Sequence, residues 1–434
     1  MLDLAAAFIT LTTLLTYLNY RFLKLPPAIG VMLNALLLSL AVQGISAAGY
    51  PILEKSFIQF LQGIDFHQVL MTWFLPALLF AGALHVNLAD LKEYKWPIGF
   101  LATVGVVIST FAVGGVAYVL LEALGWQVSF IYCLIFGALI SPTDPIAVMG
   151  ILKTSGAPKP LSMTIVGESL FNDGTAVVAF GVLLGIAALG HSPSAGEITW
   201  LLVQEGFGGV LFGLMVGYVG CLMIKTIHQP QLTVMVTLAM VFGGASVASK
   251  LHVSAPIFAV VAGLVMGNVG RLRNMGDKER EYVDDFWELV DDILNALLFA
   301  LIGLELLLLP ISWLHFGAAI LLGAGVLLCR LAAVAPGVML LRLMQRKGER
   351  QFDKGTIRTL CWGGLRGGVS VALALSLPAG PERDVLVVIT YIIVLVSILI
   401  QGLTIGPLVR TLFGENKKPE HTDGTAAEEA PPAH

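Results

Sequence analysis

Apolar segments long enough to cross a bilayer recur along nearly the whole chain, and that regularity removes most folds from consideration. At about 20 residues per crossing, the hydropathy pattern predicts thirteen spans, near 4–20, 27–44, 66–86, 96–121, 128–151, 161–189, 199–224, 230–249, 254–268, 284–309, 311–341, 357–378 and 385–410. The chain is 57% hydrophobic and 12% charged, and its longest basic loops, 269–283 and 342–356, leave no room for a soluble domain. In lipid every backbone polar group must be satisfied within the protein, which predicts an all-α polytopic membrane protein. Any chemistry is confined to the membrane region.

Basic residues orient these spans. With the N-terminus outside, twenty Lys and Arg fall on cytoplasmic segments and only Lys55, Lys250 and Arg383 fall outside, while Arg330 and Arg366 lie within spans. Such a bias is the positive-inside pattern, and one span more or fewer near the middle would destroy it. The expectation is a multi-pass protein of the cell (inner) membrane with its C-terminus in the cytoplasm. Met1-Leu2-Asp3 has no basic n-region and no convincing cleavage signal follows, so the first span reads as a retained helix. Cys133, Cys221, Cys329 and Cys361 are dispersed and suggest neither a disulfide framework nor a zinc site. Residues 414–434 are polar and acidic and read as a disordered cytoplasmic tail. Nothing points to nucleic acid.

The span 161–189 carries Glu168, Ser169, Asn172 and Asp173 near its middle. A carboxylate at the bilayer centre costs about 2.5–3.5 kcal/mol on insertion scales, so two on one helix call for a partner, a cation or a proton. Ser169 and Asp173 are i,i+4 neighbours, as are Glu168 and Asn172, which gathers two acids, an amide and a hydroxyl on one patch. In the fifth span, Pro142 and Pro145 bracket Thr143 and Asp144. Each proline removes a helical hydrogen bond, so this helix should open and offer carbonyls, a hydroxyl and a carboxylate as hard donors; a simple proline kink with a salt-bridged Asp144 is the plainer alternative. The twelfth span has four glycines around Arg366, in Gly363-Gly364-Leu365-Arg366-Gly367-Gly368, and should be interrupted too. Two broken spans seven apart face opposite ways, as in inverted repeats around a midplane site. The transmembrane domain, 1–413, would comprise repeats near 1–190 and 230–413 with 199–224 as linker helix.

Inside the membrane, Asp144, Glu168 and Asp173 thus face Arg330 and Arg366. Two guanidiniums neutralise two acids. The third must hold a proton or a metal cation, and a group that takes either but not both is a coupling device. Glu205 and Glu305 sit nearer the outer span ends, where an interfacial charge is the plainer account and an entry funnel the other. The acidic run Asp284, Asp285, Glu288, Asp291, Asp292 reads as a solvated helix start favoured by the N-terminal dipole, or else as a cation-attracting vestibule. His67, His85, His191, His228, His252 and His315 show no metal-ligand spacing.

The segments Thr143-Asp144-Pro145, Gly167-Glu168-Ser169-Leu170-Phe171-Asn172-Asp173-Gly174 and Gly364-Leu365-Arg366-Gly367-Gly368 resemble the signatures of the monovalent cation:proton antiporter-1 family, the NhaP/NHE-type sodium/proton exchangers. The resemblance covers the membrane region and not the tail, whose shortness is similar to prokaryotic members. It implies two inverted repeats with crossed discontinuous helices, a homodimer, and elevator-like alternation of a six-helix core. It also implies that Asp173 is the exchange site; that Thr143, Ser169 and Glu168 ligate Na+, with Asp144 nearby, directly or through water; that Asn172 braces the crossover; and that Arg330 pairs with Glu168. Arg366 would serve Asp144 or the half-helix ends. Asn172 in place of a second Asp resembles the electroneutral branch. The implied partners are monovalent cations, protons and the lipid bilayer; no cofactor is implied beyond the transported ions. Exchange of Li+ in place of Na+ and a K+/H+ antiporter of the same family stay open, with a cation channel and an intramembrane aspartyl protease on Asp144 and Asp173 as remoter readings.

Overall fold

The computed structural model describes residues 2–49, 51–63, 69–144, 148, 152, 157–189, 194–227, 229–309, 311–344 and 354–413. Among them every regular element is helical. In chain order the principal helices are α1 (2–23), α2 (Pro27–Ala47), α3 (Pro51–Gln62), α4 (Val69–Leu84), α5 (Lys95–Ala123), α6 (Phe130–Ile140), α7 (Lys159–Leu189), α8 (Gly196–Lys225), α9 (Pro230–Lys250), α10 (Ala255–Arg271), α11 (Asp277–Leu304), α12 (Trp313–Met344), α13 (Lys354–Trp362), α14 (Gly368–Leu375) and α15 (Pro381–Phe413). Seven of them, α2, α5, α7, α8, α9, α12 and α15, are long and apolar enough to cross a membrane, and α4, α6 and α10 are shorter apolar helices. Large apolar side chains such as Tyr17, Phe111, Met215 and Leu328 project outward, as acyl chains would require of a lipid-facing surface.

Packing gathers the helices into two groups. In one, α5 lies along α6 and α12, α7 along α6, and α15 along α12 and α14. In the other, α11 lies along α2, α4 and α9, while α10 is sandwiched between α4 and α8. Close approach of α8 to α10 depends on Gly209, Gly213 and Gly217, four residues apart: a Cβ at Gly213 would lie 2.8 Å from the Phe258 carbonyl oxygen and from the Val261 side chain. Without a hydrophobic drive between helices in lipid, such small-residue seams let dispersion forces hold them.

Two expectations are corrected by this architecture. The basic segment 269–283 is helical except around Met275–Gly276, because its charges are satisfied locally: Arg271 binds Asp284 through Nε at 3.0 Å and Nη2 at 2.5 Å, and Arg280 Nε donates to the Arg271 carbonyl at 3.2 Å. In consequence α11 begins at Asp277, with Asp277 and Glu279 in its first turn. The acidic run 284–292 then lies two or more turns inside the helix, beyond the reach of the N-terminal dipole, so a helix start does not account for it. The connecting segment near residue 55 forms α3, an amphipathic helix that the span count left unassigned.

Candidate functional site

Both predicted interruptions occur, and they meet. Helix α6 ends at Ile140 and residues 141–144 are non-helical; Pro145 lies outside the described residues. Between α13 and α14 the chain is non-helical through Gly364–Gly367. The two openings are stitched directly, the Asp144 N–H donating to the Leu365 carbonyl at 2.8 Å. Arg366 Nη1 donates to the carbonyls of Ser141 at 2.6 Å and Pro142 at 3.0 Å, placing a cation on the orphaned, electronegative end of α6. Asp144 answers at the other half-helix: a Cβ on Gly367, the residue preceding α14, would lie 2.5 Å from Asp144 Oδ2. Only glycine lets that carboxylate approach the electropositive start of α14. These contacts correspond to the half-helix-end role among the two expected for Arg366.

Helix α7 passes alongside and contributes the polar patch. Asn172 Nδ2 donates to Thr143 Oγ1 at 2.8 Å, the Thr143 N–H reaches Asn172 Oδ1 at 3.4 Å, and the Thr143 and Ser169 hydroxyls are 3.1 Å apart. Asn172 therefore braces the α6 opening to α7; among the described residues it makes no bond to the α13–α14 opening. One turn before Asn172, Glu168 gives both oxygens to Arg330, at 2.9 Å from Nη1 and 3.2 Å from Nη2, and Arg330 Nε also donates to the Leu360 carbonyl at 3.1 Å. With side chains 3% and 7% exposed, this pair is sealed. Gly364 makes way for the guanidinium, since a Cβ there would overlap it.

Asp173 stands apart. It is 8% exposed, and among the described residues no hydrogen bond or ion pair engages its carboxylate. Arg330 takes Glu168, whereas Arg366 turns Nη1 to the two carbonyls that the broken end of α6 offers.

Residues that the sequence reading passed over complete the crossover. Ser397 accepts from the Arg366 N–H at 3.0 Å and donates to Gln401 Oε1 at 2.5 Å, and Gln401 Nε2 donates to the Trp362 carbonyl at 3.1 Å. A Ser and a Gln at i,i+4 within an otherwise apolar span were the available signal. Glu305, expected at an interface, is buried at 7% exposure where α11 ends. Glu205 is half-buried and faces α7, where a Cβ on Gly181 would lie 3.1 Å from its carboxylate. His315 bonds Ser312 at 2.6 Å and stacks on Trp126; His67, His191 and His228 lie outside the described residues. A groove of about 750 Å³ between α5 and α12, lined by Phe111, Val119 and Leu321, is almost wholly apolar and outward-facing, remote from this chemistry.

Comparison with known proteins identifies the family and the fold. Residues 8–411 match the model of the family described as "Sodium/hydrogen exchanger, transmembrane". The chain is 65% identical over 413 residues to the Na+/H+ antiporter NhaP of Pseudomonas aeruginosa, covering 95% of this chain and 97% of that one. It is 35% identical over 399 residues to the Na+/H+ antiporter NhaH of Halobacillus dabanensis, with 90% and 93% covered. Among solved structures, the sodium proton antiporter MjNhaP1 of Methanocaldococcus jannaschii at pH 8 superposes with a TM-score of 0.73 at 18% identity, over 94% of this chain and 97% of that one; at that identity the likeness concerns the fold.

Proposed function

The chain belongs to the sodium/hydrogen exchanger family, and on that premise we propose that it exchanges Na+ for H+ at Asp173. The observation that carries the site assignment is the contrast within the crossover: a buried carboxylate with no partner among the described residues, surrounded by polar groups that are paired. A buried charge in that position needs a counter-ion or a proton. When ionised, Asp173 binds Na+ together with oxygens of Thr143 and Ser169, the latter one turn away on the same face of α7. Asp144, closing the other side of the crossover, supports the charge of the ion directly or through water. Glu168, expected as a further ligand, has both oxygens on Arg330 and serves here as the brace that holds α7 to α12.

Exchange follows from competition. Protonation removes the negative charge that Na+ requires, so the site carries one or the other, and each loaded form is neutral. A neutral site crosses the membrane field at low cost, whereas an empty one is a bare buried anion, which suppresses uncoupled leak. One available carboxylate favours a 1:1, electroneutral stoichiometry. Thirteen spans, inverted repeats near 1–190 and 230–413, the linker helix 199–224, the outside N-terminus, the inner-membrane location and the homodimer complete this reading. In it, the group containing α5, α6, α7 and α12 to α15 moves as an elevator past the group containing α2, α4 and α8 to α11.

Transport by purified protein in proteoliposomes tests it. With a cation panel at several pH values, and with and without a clamped potential, Na+ should dissipate a pH gradient saturably, and clamping should leave the rate unchanged. Loss of Na+-dependent proton movement in Asp173→Asn is required; its survival would remove Asp173 from the mechanism.

A further inference from the structure

Helix α11 carries a second polar stripe aimed at the crossover. Glu288, Asp291, Asp292 and Asn295 follow the i, i+3, i+4, i+7 spacing of one helical face, and they grade inward. Glu288 and Asp292 are exposed, Asp291 is half-buried and Asn295 is 6% exposed. The stripe starts three turns inside α11, where no helix dipole supports it, and Arg271 is committed to Asp284. Among the described residues no Lys or Arg pairs with Glu288, Asp291 or Asp292.

Two observations connect this stripe to an ion. Asn295 lies one helical turn beyond Asp291 on the same face, and its Oδ1 is buried without any partner among the described residues. Buried oxygens are normally satisfied, so an orphaned hard donor beside a carboxylate marks a place for a cation or its water shell. Three residues further along, Leu298 packs on Gly368, next to Gly367 and its contact with Asp144. The stripe therefore ends beside the crossover, next to the glycine that Asp144 approaches. Moreover, α11 packs along α2, α4 and α9, whereas Asp144 and Asp173 belong to the other helix group.

We propose that Asp291 and Asn295 form a waiting site for Na+ on the cytoplasmic side, from which the ion passes to Asp144 and Asp173. The proposal rests on the exchange reading above and on its orientation. Glu288 and Asp292 concentrate cations at the mouth, and Asp291 with Asn295 Oδ1 replaces part of the hydration shell. Because this site stands on the group that does not carry Asp173, it serves the ion only while Asp173 faces the cytoplasm.

Sidedness provides the test. In everted vesicles, whose cytoplasmic face meets the medium, Asp291→Asn should raise KM for Na+ by about five-fold, the effect of one lost partly screened charge, with maximal rate retained. In right-side-out vesicles KM should not change. Asp291→Glu should restore the wild-type value, and Asn295→Asp, which adds a carboxylate, should lower KM in everted vesicles alone; this second variant decides if Asp291→Asn fails to fold. A KM shift equal on both sides, an unchanged KM, or a loss of rate alone would overturn the proposal. Asp173→Asn, measured in the same vesicles, tests the parent reading separately: it should be silent from both faces.

Discussion

Glu168 and Asp173 are buried acids five residues apart on one helix, separated by about 7.5 Å of rise, and their environments are opposite. Glu168 is clamped by a guanidinium that is itself tied to the Leu360 carbonyl. Asp173 has no such partner among the described residues. The difference teaches what separates a structural charge from a working one. A charge whose partner belongs to the protein stabilises the fold and stays ionised, whereas a charge left without a partner must recruit one from solution, and what it recruits is cargo.

The comparison breaks most visibly under Asp173→Asn. Exchange should fall below detection while the melting temperature in detergent does not decrease, because a neutral amide removes a buried unpaired charge. Removing one member of the clamp, by Glu168→Ala or Arg330→Ala, should do the reverse to stability, costing about 3–5 kcal/mol by stranding the other charge. The double variant Glu168→Gln/Arg330→Met should cost less than the two singles summed, which thermal unfolding across the four proteins would read as coupling. Gly364→Ala should lower stability by about 1–3 kcal/mol as its methyl presses on the Arg330 guanidinium, with the apparent Na+ affinity of whatever folds little altered. The gentlest probe is pH. Na+ requires the Asp173 carboxylate, and protons occupy it as pH falls, so apparent KM for Na+ should rise by up to about ten-fold per unit of acidification while maximal rate holds. A KM independent of pH would mean that the two ions do not share this group.

Much of this site was legible before any coordinates. Polar residues within apolar spans are expensive enough that Glu168, Ser169, Asn172, Asp173, Arg330 and Arg366 announced themselves, and the proline pair and glycine cluster marked both openings. Less legible were the groups whose role depends on a neighbour distant in sequence. Ser397 and Gln401 look like ordinary polar residues of an apolar helix until Arg366 and Trp362 are brought against them. Glu305 reads as interfacial because span ends are usually wet, yet the packing around the end of α11 buries it. The acidic run on α11 reads from sequence as a helix start or a cation-attracting vestibule because the predicted span begins at 284, whereas the helix begins at Asp277 and Arg271 pairs with Asp284 along it.

Hydropathy, proline and glycine placement and the short inventory of intramembrane charges determined, from sequence alone, a helical membrane protein with two broken helices and an imbalance of buried acid. Each of those is a local cost, a matter of what one segment can bear in lipid. The tertiary structure decided the partners: Arg330 to Glu168 across 162 positions, Arg366 to the carbonyls of Ser141 and Pro142, and the Asp144 N–H to Leu365. Coulombic and hydrogen-bond choices between distant segments depend on ångström-scale geometry that no local pattern encodes, and among the described residues that geometry left Asp173 without a partner.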